Sequence, residues 1–126
     1  ERKKSTKLKK FSRAYILLNE KNEILVRKRP SKGMLASMLE VPNDKWVINK
    51  KNLVKDLFIK KLRYNWKLKG SLEYSFSHFN LTTDIFIKII KKNNFPKYKW
   101  IKTGEINNSG LPTIMKKIAK IAIKNQ

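Results

Sequence analysis

The chain has 126 residues, 40% of them hydrophobic, enough for one folded domain with a buried core rather than a disordered tail. No apolar run is long enough to cross a bilayer, no segment has the order of a signal peptide, and the lack of cysteine excludes disulfides, a zinc finger and an iron–sulfur cluster within these residues, which fits a cytosolic setting. Lys and Arg total 31 against 9 Asp and Glu, a formal net charge of +22; such a field attracts polyanions, nucleic acid before anionic membrane, although a Lys- and Asn-rich composition also follows from an AT-rich genome.

Residues 1–10, "ERKKSTKLKK", have no periodicity and a cluster of like charges, and read as a basic arm or the tail of a linker. The domain proper is expected over 11–126. From Phe11, "FSRAYILL" has strand composition, and "EILVRKR" follows after the polar turn Asn19-Glu20-Lys21-Asn22, so the two form an antiparallel hairpin. Ile24 and Val26 face one side of it, Arg27 and Arg29 the other. Pro30 ends the second strand, "SKGMLASM" is a loop, and "LEVP" is a brief extended piece closed by Pro42.

In "NLVKDLFIKKL", Leu53, Val54, Leu57, Phe58 and Leu62 recur at helical spacing opposite Lys55, Asp56 and Lys60, which predicts an amphipathic helix on a sheet. "LTTDIFIKII" alternates, with Leu81, Thr83, Ile85, Ile87 and Ile89 on one face of a strand. "YKWI" after Pro96 is a short strand. "PTIMKKIAKIAIK" is a second amphipathic helix, with Pro112 near its start, a stripe of Ile114, Met115, Ile118, Ala119, Ile121 and Ala122, and Lys116, Lys120 and Lys124 outside. There is no internal repeat. The order of elements defines an α+β domain, a sheet with helices packed against it.

Catalytic chemistry finds little material. General acid–base work needs paired carboxylates or an oriented histidine, yet Glu40, Asp44, Asp56, Glu73 and Glu105 are scattered. A magnesium-dependent pyrophosphohydrolase needs several glutamates on one helix, and the helix ending at Leu62 offers only Asp56 among lysines. Ser77 beside His78 is adjacent in sequence, a weak sign of a nucleophile with its base. The four glycines are spread out, so no phosphate loop forms. Neither catalytic nor metal-binding residues are expected.

Nucleic-acid binding finds more. Cations for phosphates and rings for stacking are both present, with basic clusters in the arm and at Arg27, Lys28, Arg29 and Lys32. The single histidine lies in "YSFSHFNL", residues 74–81. If the strand Leu81–Ile89 runs backward in phase, Phe79 joins its buried face, and Tyr74, Phe76 and His78 point the other way. The stretch is then either a strand with exposed decoration or a tip that meets DNA. Periodicity does not choose.

Three separated motifs, "KRPSKGMLASMLEVPNDKW" (Lys28 to Trp46), "YSFSHFNL" and "LPTIMKKI" (Leu111 to Ile118), occur in the order and spacing of one family. From about Phe11 onward the chain resembles the C-terminal domain of A/G-specific adenine DNA glycosylases, the MutY family. The resemblance implies a Nudix-like fold, a mixed β-sheet packed between α-helices, in a form without the magnesium-binding glutamate helix of related pyrophosphohydrolases. It implies that a separate N-terminal domain removes adenine mispaired with 8-oxoguanine and carries the catalytic acid and an iron–sulfur cluster, so that this domain needs no cofactor. The expected partners are double-stranded DNA containing 8-oxoguanine opposite adenine and that catalytic domain, with no membrane, for a monomer in the bacterial cytoplasm near the nucleoid.

The family's lesion-reading loop matches Phe76, Ser77 and His78. Guanine presents N7 as an acceptor in the major groove. Oxidation at C8 makes N7 a donor, which a serine hydroxyl can accept, so Ser77 is the candidate for telling lesion from guanine. Phe76 is placed to wedge or stack, and His78 to bond a phosphate or brace the loop. Arg29 and Lys32 are candidates for the DNA backbone. The double glycine that Nudix relatives usually carry after the proline is replaced here by Asn43-Asp44, following Pro42. Two alternatives stay open: a free-standing nucleotide pyrophosphohydrolase and a generic basic nucleic-acid-binding module.

Overall fold

The computed structural model describes residues 7–126. Its organising strand is β1, Leu8–Asn19, which is longer at its start than the sequence suggests. It begins within the expected basic arm, of which residues 1–6 lie outside the described residues. The turn after β1 is built by asparagine chemistry. Asn19 Oδ1 accepts from the backbone N–H of Lys21 (2.8 Å) and Glu23 (3.0 Å), and Asn22 takes a positive φ of 59°, which asparagine tolerates better than most residues. The chain returns as β2, Glu23–Lys28, but β2 stays beside β1 only at Leu18 and Ile24.

Past that point β2 pairs with β3, Leu39–Glu40, and with β6, Tyr98–Lys102. The edge of β1 that β2 leaves is taken by residues 42–47, through bridges of Ala14 to Asn43 and Phe11 to Val47. On its other side β1 runs parallel to β5, Phe79–Ile90, from Leu8 opposite Phe79 to Asn19 opposite Ile90. β4, Lys67–Ser75, closes the sheet as the antiparallel partner of β5. The sequence reading missed β4, because "KLKGSLEYS" carries lysines and a glycine where a strand usually carries β-branched residues; its pairing with β5 overrides that weak propensity.

Alternation along β1 builds two cores. Ala14, Ile16 and Leu18 join Leu81, Ile85, Ile87 and the buried stripe of α2, Thr113–Ile123. That stripe is Ile114, Met115, Ile118, Ala119 and Ala122, as the periodicity predicts, with Ile121 only half-buried. Tyr15 and Leu17 face the other way, with Trp66 and Phe86 against the Tyr15 ring at 5.2 and 5.7 Å. Ile89 departs from its predicted face: it is 58% exposed near the end of β5.

The helix expected from Leu53 is the main correction. Lys50–Asn52 form one 3₁₀ turn, and α1 spans only Leu57–Leu62, capped by Asp56. Its buried residue is Ile59, whereas Val54 and Leu57 are 70% and 73% exposed. The apolar spacing is real, but the cap cuts the segment: Asp56 Oδ2 accepts from Ile59 N (3.3 Å) and fixes the helix start at Leu57 rather than Leu53, too late for the stripe to form.

Candidate nucleic-acid interface

The β4–β5 hairpin turns at Phe76–Phe79. Ser75 pairs with Asn80, and Phe76 N donates to Phe79 O at 2.8 Å, which leaves Ser77 and His78 exposed at the tip. Residues opposite one another across this turn share a face, so Phe76 lies on the side of Phe79, and Tyr74 on the side of Leu81. The in-phase extension of β5 had placed Tyr74 and Phe76 on the opposite side; the reversal of the chain changes the parity. The Phe76 ring is half-buried, 4.9 Å from Phe79, 5.0 Å from Tyr74 and 5.6 Å from Trp46. It is a pillar under the tip rather than a free wedge. Lys7 Nζ donates to Ser75 Oγ (2.7 Å) and Phe76 O (2.8 Å), and Lys10 stands 4.4 Å over the Phe79 ring.

Trp46 joins this tip to a cleft of about 420 Å³ whose rim carries Lys10, Lys32 and Lys45. The Arg29 guanidinium lies 5.0 Å over the Trp46 ring, and the indole N–H donates to Asn43 Oδ1 (2.9 Å). Of the two backbone candidates, Lys32 is exposed on the loop after β2. Arg29 is committed inward: it donates to Glu40 Oε1 (2.6 Å) and to Met34 O (3.0 Å). That loop is tightly wound, with Leu35 and Ser37 at φ of 56° and 62°, a conformation that costs non-glycine residues strain.

The floor of the cleft is an ionic network that the sequence did not announce. Arg27 donates from Nε to Glu40 Oε2 (2.8 Å), from Nη1 and Nη2 to the two Asp56 oxygens (2.9 and 2.7 Å), and from Nη1 to Tyr98 Oη (3.1 Å). Burial works against its charge, but hydrogen bonds to Asp56 and the charge of Glu40 outweigh it and hold the proton more firmly than usual. Beneath lies Asp44, fully buried. It is paired with Arg13 and accepts from the Tyr15 hydroxyl (3.0 Å) and from Asp56 N (2.8 Å). Burial, then the Asp44 charge, push the Tyr15 hydroxyl above its ordinary range.

The acids Glu40, Asp44 and Asp56, scattered in sequence, are thus brought together, but each is taken by an arginine. Among the described residues no three His, Cys, Asp or Glu side chains are grouped to hold a metal ion. The three acids are committed to guanidinium partners in the scaffold. Sequence spacing could not show this, because Arg27 and Asp56 are 29 positions apart and meet only once β2, β6 and α1 are assembled. The one signal was the Asn43-Asp44 departure after Pro42. Both side chains are buried and both carry the network.

A mixed six-stranded sheet, with a long helix on one face and a one-and-a-half-turn helix on the other, is an α+β architecture. The NUDIX domain pattern matches residues 13–120, and the chain belongs to the NUDIX domain family. No curated protein matches the chain in sequence. Among solved structures, the C-terminal domain of mouse MUTYH, determined in complex with human PCNA, superposes with a TM-score of 0.70 at 16% identity, covering 89% of this chain and 86% of that one. The MutT protein from Methanosarcina mazei gives 0.67 at 14% identity, covering 93% and 94%. The NUDIX domain of NrtR from Shewanella oneidensis, bound to ADP ribose, gives 0.61 at 9% identity, covering 93% and 86%. At these identities the likeness is one of fold. Among the described residues no helix is long and apolar enough to cross a membrane.

Proposed function

We propose that this NUDIX domain is the lesion-recognition part of an adenine DNA glycosylase, reading 8-oxoguanine opposite adenine in double-stranded DNA during base excision repair, and that it performs no hydrolysis itself. In this reading a separate N-terminal domain of the same protein, bearing the iron–sulfur cluster, hydrolyses the N-glycosidic bond. The linked pair then clamps the duplex at raised effective concentration. The observation that carries the reading is the hairpin tip. Ser77 and His78 are exposed on a turn held by the packed rings of Phe76, Phe79 and Trp46, beside the lysine-rimmed cleft. Ser77 Oγ accepts from N7–H of the lesion, His78 bonds a neighbouring phosphate, and Lys32 adds sequence-independent attraction.

Hydrolysis of free nucleotides is the second reading, favoured by the comparable likeness to MutT. The engagement of Glu40, Asp44 and Asp56 by guanidinium groups supports the non-hydrolytic reading over it. The test is a titration of the domain, alone and within the full-length protein, against duplexes that differ only in 8-oxoguanine or guanine opposite adenine. One discriminating hydrogen bond is worth about 1–3 kcal/mol, so the preference is roughly tenfold, survives added salt and disappears in Ser77→Ala. Equal binding that fades steeply with salt would leave only a basic clamp. Magnesium-dependent turnover of 8-oxo-dGTP by the wild-type domain would refute the non-hydrolytic reading.

A further inference from the structure

We propose that Arg27 is a built-in cation: its guanidinium fills an oxygen-lined site with the donor set of a divalent-cation site, and vacating it creates a calcium-binding site. Every hydrogen-bond acceptor of the guanidinium is an oxygen, and the Tyr98 ring lies 6.0 Å from it. Besides Glu40 Oε2, both Asp56 oxygens and Tyr98 Oη, the Asn43 carbonyl lies 3.4 Å from Nη2. Two carboxylates, one bidentate, with a backbone carbonyl and a neutral hydroxyl are hard donors of the kind calcium takes, and waters complete its shell. Arg27, Glu40, Asn43 and Asp56 all border the open cleft, so an ion and its waters have a route in.

The neighbouring acid shows the contrast. Asp44 is enclosed and meets only donors, from Arg13, Tyr15 and the Asp56 amide, so it has no place for an added ion. Charge gives the reason for the arrangement. Glu40 is also held by Arg29, so two arginines balance two carboxylates. Loss of Arg27 leaves one negative charge in excess in a half-closed space, and a divalent ion reverses that excess. The inference rests on the reading of the domain as non-hydrolytic, since a resident guanidinium excludes a metal from the carboxylates it holds, and it is independent of what Ser77 reads.

The test is the thermal unfolding midpoint of the wild-type chain, Arg27→Ala and Arg27→Ala/Asp56→Asn, each without divalent ions and in millimolar calcium chloride at constant ionic strength. Asparagine at 56 keeps the helix cap while removing one carboxylate. Calcium leaves the wild type unmoved, raises Arg27→Ala by about 5 °C, or is required for it to fold, and loses most of this effect in the double variant. Failure of Arg27→Ala to respond to calcium, whether it is folded or unfolded, overturns the proposal. So does a response of equal size in the wild type or the double variant, which would put the ion elsewhere. Hydrolysis by the wild type is a separate result and bears on the reading, whereas the calcium response bears on Arg27.

Discussion

Trp46 touches both the hairpin tip and the ionic cleft, so truncating it measures how firmly the tip is held. Trp46→Ala removes ring contacts with Phe76 at 5.6 Å and Phe79 at 6.1 Å, the Arg29 cation over its face at 5.0 Å, and the N–H bond to Asn43 at 2.9 Å. Aromatic pairs are worth about 0.5–1.5 kcal/mol each. The cation–π contact adds about 0.5–1 kcal/mol, and the hydrogen bond about 1 kcal/mol. These terms sum to about 2.5–5 kcal/mol, and a half-buried ring takes the lower part of that range, about 3 kcal/mol, at the low end of the ~3–5 kcal/mol for aromatic-to-alanine changes in cores. Trp46→Phe keeps a ring and loses the N–H, and costs about 1 kcal/mol. Urea unfolding followed by far-UV circular dichroism reads both as shifts of the midpoint at constant slope. In the DNA titration, Trp46→Ala lowers lesion preference more than total affinity, because the lysines remain. A loss below about 1 kcal/mol for Trp46→Ala would show that Phe76 stands without it. A loss in Trp46→Phe equal to that in Trp46→Ala would put the anchoring in the Asn43 bond rather than the rings.

Asp44→Ala strands the Arg13 guanidinium, the buried Tyr15 hydroxyl and the Asp56 amide. Breaking a buried pair costs about 3–5 kcal/mol, and since the Arg13 side chain is 28% exposed, the expected loss is about 3 kcal/mol. Asp44→Asn, which retains an acceptor, costs roughly half that; equal urea midpoints for wild type and Asp44→Ala would refute the network's structural role. Tyr15, whose hydroxyl is held above its ordinary range chiefly by burial, makes the domain sensitive to alkali. The unfolded phenol ionises first, so this contribution is complete below about pH 10 and is lost as pH rises through the folded value. Wild type therefore loses more stability than Tyr15→Phe between about pH 8 and pH 11, and equal losses in the two proteins would contradict the assignment.

Strand β5 and helix α2 were legible because one face of each is buried along most of its length, so period and burial agree, as at Leu81, Thr83, Ile85 and Ile87; the turn from β1 into β2 was legible from its polar residues, although β2 stays beside β1 only at Leu18 and Ile24. Where burial comes from pairing rather than pattern, the sequence was silent. β4 has only half-buried alternate positions, and its identity as a strand comes from β5. α1 was misread because an N-cap outranked an apolar stripe. At the tip, Phe76, Ser77 and His78 were proposed by resemblance, whereas their posture depends on hairpin parity and on Trp46, whose ring meets Phe76. The ionic floor was the least legible part. Arg27, Glu40 and Asp56 come from three elements, and nothing in a basic sequence distinguishes a guanidinium that pairs inward from one that faces solvent.

That distinction orders the whole charge distribution. Arg13, Arg27 and Arg29 point to carboxylates inside the fold, where a planar, permanently charged fork can satisfy several oxygens at once. The rim of the cleft carries lysines, Lys10, Lys32 and Lys45, which are mobile point charges suited to phosphate at any register. A protein that used arginine at its surface to read guanine edges would need those forks free. Here they are consumed by the scaffold, so the arginines cannot supply sequence readout from this cleft, and the lysines supply attraction without selection. In the proposed reading, selectivity is assigned to the short hydroxyl- and imidazole-bearing turn at Ser77 and His78. That reading predicts that affinity and discrimination are separable by mutation: charge removal at Lys32 or Lys45 lowers binding to all duplexes alike, and only changes at or beneath the turn alter the ratio between them.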